Sequence, residues 1–204
     1  MSDYVWRIAI QIYLETDRIL LRRFTPADVD NLVDLDSDPE VMRYLSGGIA
    51  TPRDEIENSI LPAFLRYYER GDRYGFWAAI ERSTGDFIGW FHFRPDANAS
   101  PDEPELGYRL RKAAWGQGYG MEVSRALLRK GFTEFGAERA FASTYEHNLA
   151  SRRVMEKVGM RLVRRFRMTP EELAAHGADQ VVWEGEDVEY AITKAEWLRQ
   201  EADI

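Results

Sequence analysis

Three glycines stand at alternating positions, Gly116, Gly118 and Gly120, just before an apolar periodic segment. Glycine lets the backbone turn tightly and leaves no Cβ in front of the backbone N–H groups. Such N–H groups, together with the positive end of a following helix, bind phosphate groups. The stretch therefore predicts a pyrophosphate cradle, although glycines at a strand-to-helix turn also occur for purely structural reasons.

Two common nucleotide-binding motifs do not fit this stretch. A P-loop needs a Gly-Lys pair followed by Ser or Thr, and no such pair follows the cradle. A dinucleotide fingerprint needs a third glycine where this chain has Met121. The elements before the cradle also read as a hairpin rather than as βαβ units. Both alternatives are therefore disfavoured.

A second motif follows the cradle, with Asn148 and Ser151 in N-x-x-S spacing. Asn and Ser are favourable residues at the start of a helix, so the motif has a structural explanation as well as a functional one. The histidines His92, His147 and His176 are far apart, and the chain contains no cysteine. This composition excludes disulfides and thiolate nucleophiles and argues against a metal site.

The elements that must position these residues alternate between strands and helices. Strands are predicted at Arg18–Phe24, Tyr74–Glu81, Phe87–Phe93, Glu105–Leu110, Arg139–Tyr145, Met160–Met168 and Asp187–Thr193. Helices are predicted after Thr25-Pro26, Asp38-Pro39 and Thr51-Pro52, over Gly120–Phe135 and Asn148–Val158, and after Thr193. Pro62 is expected to kink the helix that ends near Arg70. The order predicts an α/β (mixed α+β) fold, a mixed sheet with helices on its faces.

Length and charge limit the classes of protein further. The 204 residues favour a single domain, 1–204, with an N-terminal extension at 1–14 and a polar insertion at 169–186. The 27 Lys and Arg against 35 Asp and Glu give a net charge of −8, which argues against a nucleic-acid partner. No apolar run is long enough to span a membrane and no signal peptide is recognisable, so a cytoplasmic protein without a membrane partner is expected.

The two motifs together resemble a known family. The segments ELGYRLRKAAWGQGYGMEVSRALL and NLASRRVMEKVGM resemble the coenzyme-A-binding core of the GNAT acyltransferases, and especially the branch of the ribosomal-protein-alanine N-acetyltransferases. The resemblance covers roughly residues 15 to 197. It implies the GNAT fold, whose mostly antiparallel sheet splays apart at the cofactor cleft, and acetyl transfer from acetyl-CoA to a primary amine.

The resemblance also implies which residues bind acetyl-CoA. Trp115 stands where the family pattern has a basic residue, so the backbone N–H groups should carry most of the pyrophosphate recognition. The pantetheine arm is expected to pair with backbone near Leu110, in the gap between Glu105–Leu110 and Arg139–Tyr145. The implied cofactor-binding residues are Leu110, Trp115, Gly116, Gln117, Gly118, Tyr119, Gly120, Met121, Asn148 and Ser151.

The catalytic assignment rests on chemistry and on the resemblance together. An alkylamine is mostly protonated at pH 7, so a group must accept a proton, and Glu105 at the start of its strand is the first candidate. The alternatives are Glu146 and His147, and a solvated strand-end carboxylate is the structural explanation for Glu105. Many GNAT members place a tyrosine acid where this chain has Met155, so Ser151 is the expected acid, with Tyr145 or water as alternatives.

The acceptor side is less defined. The aromatic hairpin residues Trp77 and Trp90, with His92 and Tyr44, line either an acceptor pocket or, as favoured here, the sheet core or a homodimer interface. The basic run Arg161–Arg167 is interpreted as the exposed side of a strand, and the insertion 169–186 is expected near the acceptor site. Because Met155 cannot donate a proton, a non-catalytic acyl-CoA-binding or interaction domain with this fold is the alternative function.

Overall fold

Eight strands form one sheet in the computed structural model, which describes residues 11–95, 100–167 and 185–202. The strands run across the sheet in the order β1-β2-β3-β4-β5-β6-β8-β7. They are β1 (Ile12–Glu15), β2 (Ile19–Arg23), β3 (Gly75–Glu81), β4 (Phe87–Arg94), β5 (Glu105–Leu110), β6 (Arg139–Tyr145), β7 (Arg161–Phe166) and β8 (Asp187–Thr193). Neighbours pair antiparallel except β5 and β6, which run parallel, so the predicted mixed α/β fold is confirmed.

The sequence prediction began at Arg18 and missed β1. This strand covers the described end of the 1–14 extension and pairs antiparallel with β2, with Glu15 opposite Leu20. The stretch has only four residues and a register shift, so alternation alone gave little signal. The hairpin between β3 and β4 agrees with the prediction, and its turn spans residues 82–86.

The connection from β2 to β3 contains two helical regions. A 3₁₀ turn (Pro26–Asp28) leads into α1 (Val29–Ser37). A longer helical stretch, residues 53–70, contains α2 (Leu61–Tyr67). The expected helix start at Asp38-Pro39 is wrong: residues 39–48 form successive turns. Pro62 lies in the first turn of α2, directly after a π-helical segment (Ile56–Ile60). Proline has no N–H to donate to the preceding helical turn. The irregular hydrogen bonding of the π-helical segment therefore accommodates Pro62 within the helical stretch.

The helices after β5 end where the glycines predict. The helix α3 (Tyr119–Lys130) continues as a π segment to Phe135 and stops at Gly136, which has a φ of 74°. The next helix, α4 (Leu149–Lys157), is followed by Gly159 with a φ of 89°. These left-handed conformations favour glycine over other residues. The last helix is α5 (Lys194–Ala202).

Two apolar clusters cover the two faces of the sheet. One packs α3, α4 and α5 against the sheet through residues such as Phe91, Leu106 and Leu127, and the other packs α1 and α2 against Phe76 and Ala78. The favoured interpretation of the hairpin aromatic residues as sheet core is confirmed for Trp77, which is 2% exposed and stacks on Tyr13. Among the described residues, no helix is long and apolar enough to cross a membrane.

The sheet opens between its two parallel strands. The only pairing between β5 and β6 is at their start, where Glu105 lies opposite Phe141. Beyond this pair β5 stays bonded to β4 and β6 stays bonded to β8, so a gap forms between them. This divergence is the splay that the resemblance implies, and it creates the cleft of the candidate site.

Candidate active site

A cleft of about 980 Å³ follows the gap between β5 and β6 and continues to the start of α3. Its walls come from β5, from the loop before α3, from the first turns of α4 and from the end of β6. The lining includes nearly all the sequence-predicted site residues: Glu105, Leu110, Trp115, Gly116, Gly118, Tyr119, Gly120, Met121, Asn148 and Ser151. Gln117 is the one implied cofactor-binding residue outside this lining.

Two left-handed glycines shape the loop before α3. Gly116 and Gly118 have φ values of 73° and 83°, and Gly118 is the N-cap of α3. A Cβ on Gly116 would meet no heavy atom within 4 Å, whereas one on Gly118 would contact the Arg18 guanidinium at 3.5 Å. The first N–H groups of a helix have no partner within it, and those of α3 begin at this loop. The loop therefore presents unpaired donors, and a positive helix end, to open space.

Side chains on either side of the glycines fix the loop in place. The Trp115 indole donates from Nε1 to the Leu110 carbonyl, 2.8 Å away, and so ties the loop to the end of β5. Gln117 turns away from the cleft and donates from Nε2 to the Ala113 carbonyl at 2.8 Å. Trp115, in the position where the family pattern has a basic residue, thus has a structural contact of its own.

An ion pair that the sequence did not indicate braces the same loop. Arg18 donates to the Gln117 carbonyl at 2.9 Å and, through Nε, to Glu122 in the first turn of α3 at 2.6 Å. Glu122 also accepts from the Thr16 hydroxyl at 2.6 Å. Burial opposes ionisation, but these hydrogen bonds prevail and lower the pKa of Glu122. The ionised carboxylate therefore holds the start of α3 against the turn between β1 and β2.

The N-x-x-S motif begins a helix, as its structural explanation predicts. Asn148 is the N-cap of α4, and its side-chain oxygen accepts from the Ser151 N–H at 3.2 Å. Both residues also line the cleft. The Ser151 hydroxyl lies 3.1 Å from the hydroxyl of Tyr108. Tyr108 belongs to β5, and the sequence analysis did not single it out. Burial raises the pKa of Tyr108 to about 12, against the effect of the Ser151 hydrogen bond.

Met155 lies at the base of the same wall. It is 2% exposed, belongs to the apolar cluster beneath α3 and α4, and lines the cleft. A thioether has no proton to give, whereas Ser151, Tyr108 and Tyr145 each bring a hydroxyl group to the cleft lining.

Glu105 is not a solvated strand end. Its side chain is 21% exposed, and its Oε2 lies 3.6 Å from Arg94 and 3.8 Å from Nε2 of His92. His92 is buried in the cleft wall, and neither ring nitrogen has a hydrogen-bond partner among the described residues. Burial, and then the charge of Arg94, hold the pKa of His92 well below its usual value, so the ring is neutral at pH 7. A neutral imidazole has one N–H donor and one acceptor nitrogen, and both nitrogens of His92 are buried.

Gly107 makes room for the imidazole. A Cβ on Gly107 would lie 2.1 Å from Nε2 of His92, closer than any side chain permits. The pairing of these residues across β4 and β5 therefore requires glycine at this position. The sequence analysis grouped His92 with the aromatic hairpin residues, but no local pattern indicates its contact with Gly107.

The other candidates divide between the cleft and the surface. Glu146 accepts a hydrogen bond from the Glu186 N–H at 3.0 Å, and this hydrogen bond lowers the pKa of Glu146. Glu146 and its hydrogen-bond donors Glu186 and Arg165 lie outside the cleft lining. Tyr44, Trp90, Tyr145 and His147 do line the cleft. The strand β7 is exposed, as favoured for Arg161–Arg167, with Arg167 at the cleft rim.

The cleft lining includes the boundary of the 169–186 insertion. Of residues 169–186 the structure describes only the last two, and Gly185 lines the cleft. Asp187 follows it in the lining, and burial raises the pKa of this carboxyl. The prediction for residues 169–184 lies outside the described residues. No cluster of metal-binding side chains occurs within the described ranges.

Known proteins share both the sequence and the fold. Residues 18–161 match the model of the acetyltransferase (GNAT) domain. The FsC-acetyl coenzyme A-N(2)-transacetylase of Aspergillus fumigatus is 32% identical over 173 residues, which cover 82% of this chain and 70% of that protein. The N-acetyltransferase YoaA of Bacillus subtilis, itself uncharacterised, is 32% identical over 72% of this chain and 81% of its own length.

A solved structure of similar fold is RimL, a ribosomal alpha-N-protein acetyltransferase in complex with coenzyme A. It has a TM-score of 0.70 at 17% identity, and the match covers 90% of this chain and 98% of RimL. The match of the family model over most of the chain agrees with the divergent strands and the glycine loop. The chain belongs to the GNAT acetyltransferase family.

Proposed function

We propose that the protein transfers the acetyl group of acetyl-CoA to a primary amine, on a protein N-terminus or a small molecule, by direct attack on the thioester. One observation carries this proposal. Strand β5 places Glu105 and Gly107 on one face of the sheet and Tyr108 on the other, because successive side chains alternate. A proton acceptor and a pair of hydroxyl donors thus meet at one gap from opposite sides.

The residues of the cleft fit acetyl-CoA as the donor. The N–H groups of the loop from Gly116 to Met121 would hold the diphosphate, and the exposed cations Arg153 and Lys157 line the same end of the cleft. The gap beyond Leu110 would take the pantetheine arm. The coenzyme A bound to RimL and the acetyl coenzyme A in the name of the fungal relative support this donor.

Glu105 is proposed to accept the proton of the attacking amine, directly or through water. The amine must lose a proton to attack, and at pH 7 an alkylamine is mostly protonated. Glu105 lines the cleft, and the His92 ring beside it is neutral at pH 7. This side of the gap thus suits a cationic or amine-bearing substrate.

Ser151 is proposed to donate a hydrogen bond from its hydroxyl to the sulfur of the leaving thiol. Charge develops on sulfur as the C–S bond breaks, and a positioned donor stabilises it. Ser151 lines the cleft on α4, above Met155. Without a tyrosine at position 155, a domain that binds acetyl-CoA without transfer is the competing function.

Incubation with acetyl-CoA and a panel of amines separates the two functions. The panel contains peptides with free N-termini, polyamines, amino-acid derivatives and aminoglycosides. We expect release of free CoA thiol with at least one amine, and a matching gain of one acetyl group in the mass of that amine. Stabilisation by acetyl-CoA with no acetylated amine in the panel would favour the binding domain.

A further inference from the structure

Two hydroxyl groups from different elements meet in the wall of the cleft. Tyr108 comes from β5 and Ser151 from α4, 43 positions apart, and their oxygens are 3.1 Å apart. The Tyr108 hydroxyl is also 3.3 Å from the Ser151 carbonyl oxygen. Both side chains line the cleft that the thioester would enter.

The hydrogen bond between them has two directions with different consequences. If Tyr108 donates to the Ser151 carbonyl, it accepts the Ser151 proton, which then points away from the cleft. If Tyr108 donates to Ser151 Oγ, the Ser151 proton is free to point into the cleft. A hydroxyl that accepts a hydrogen bond is also a stronger donor, because chains of hydrogen bonds polarise one another.

We infer that Tyr108 is a positioning residue, which donates to Ser151 Oγ and thereby directs the Ser151 proton at the sulfur of the leaving thiol. The inference rests on the proposed acetyl transfer. Many family members carry a tyrosine at the position of Met155. In this chain, Tyr108 on β5 supplies the phenol instead. Tyr108 is expected to act only through Ser151, whereas Ser151 keeps part of its effect without Tyr108.

The step balances without loss of a proton from either hydroxyl. The amine nitrogen forms the C–N bond, the C–S bond breaks, and its electron pair remains on sulfur. The proton of the amine passes to Glu105. A thiol has a pKa of about 8.5, well below that of the buried phenol, so full transfer from Tyr108 to the thiolate is unfavourable. The pair therefore acts by hydrogen bonding, and solvent protonates the thiolate later.

A double-mutant cycle tests the coupling. We expect Ser151→Ala to lower kcat by about 10²-fold, at the lower end for loss of a hydrogen-bond donor to developing charge. Tyr108→Phe should lower kcat by about 10-fold in the parent but by less than about twofold in the Ser151→Ala background, since coupled residues are not additive. A loss below about threefold in the parent, or an equal loss in both backgrounds, would overturn the inference.

Tyr190→Phe is the matched control. Tyr190 is also buried, and its hydroxyl braces α4 by donating to Glu156 at 2.9 Å and accepting from Arg152 at 3.0 Å, outside the cleft lining. We expect this variant to lose stability and to keep kcat. If it loses as much activity as Tyr108→Phe, the effect of Tyr108 is only to hold α4.

A titration of bound CoA needs no acceptor and so remains decisive if no amine is acetylated. The Ser151 hydroxyl, directed at the sulfur and polarised by Tyr108, should lower the pKa of the bound CoA thiol below its value in free CoA, as ultraviolet absorbance of the thiolate reports. Ser151→Ala and Tyr108→Phe should each return it toward that value. An unshifted thiol pKa in the parent protein would overturn the inference, even if Tyr108→Phe does not fold.

Discussion

Replacement of Gly116 by glutamate tests whether the glycine loop binds the diphosphate of acetyl-CoA. Gly116 has a φ of 73°, and a Cβ there would face open space at the cleft. Gly136 offers a matched control, since it has a φ of 74°, equally open space and no part in the cleft lining. Gly116→Glu and Gly136→Glu therefore carry the same backbone strain in two different places.

The strain should cost both variants the same stability. A left-handed conformation costs a residue with a Cβ about 1–2 kcal/mol. For a domain of this size, that corresponds to a fall in Tm of about 2–8 °C. The two unliganded variants should thus melt at similar temperatures, below the parent.

Acetyl-CoA should distinguish the two variants. Acetyl-CoA at about 100 times its Kd stabilises the parent by about 2.7 kcal/mol, or about 5–10 °C in Tm. The carboxylate of Gly116→Glu lies against the diphosphate, and a Kd about 100-fold weaker leaves only about 0.4 kcal/mol, below about 2 °C. Gly136→Glu should keep the full shift.

Differential scanning fluorimetry with and without acetyl-CoA measures all three proteins. A full ligand shift in Gly116→Glu would show that the diphosphate binds elsewhere. Equal loss of the shift in both variants would show that backbone strain, rather than the loop, controls the affinity.

Three further substitutions test the acceptor side and the fold. Glu105→Gln should lower the rate about 10²-fold at pH 7, with partial recovery at higher pH, where more of the amine is neutral; a loss equal at every pH would indicate positioning instead. Gly107→Ala forces a Cβ against His92, so it should cost about 1–3 kcal/mol by chemical denaturation and raise KM for the amine; unchanged stability and KM would contradict this contact. Burial opposes ionisation of Asp28, but hydrogen bonds led by Arg22 hold its pKa below the usual value. Asp28→Asn should therefore cost about 3 kcal/mol at pH 7, a difference that shrinks as the pH falls through that lowered pKa, and a constant difference would refute it.

The glycine loop could be predicted because its signal is local. Glycines at positions 116, 118 and 120 indicate a tight turn wherever the rest of the chain lies, and the N-x-x-S motif likewise marks the start of α4. The predicted strands β5, β6 and β8 have the bounds that the structure shows, since each combines a clear apolar pattern with residues at its ends that favour a turn or a helix start. The prediction failed at Asp38-Pro39, where the apolar residues that follow, within 41–45, span little more than one helical turn before glycines 47 and 48.

The rest of the site depends on contacts between distant positions. Arg18 reaches Glu122 across 104 positions, and Tyr108 reaches Ser151 across 43. Each pair forms only because the sheet and the helices pack in one arrangement, which no local spacing encodes. The fit of His92 against Gly107 similarly depends on the register of β4 and β5.

A crystal structure with coenzyme A tests the central claim most directly, that the gap between β5 and β6 is the site of acetyl transfer. We expect the diphosphate oxygens to accept hydrogen bonds from the backbone N–H groups of residues 116–121. The sulfur should lie within hydrogen-bond distance of the Ser151 hydroxyl, with Glu105 across the gap. Coenzyme A bound outside this cleft, or a sulfur out of reach of Ser151, would contradict the account.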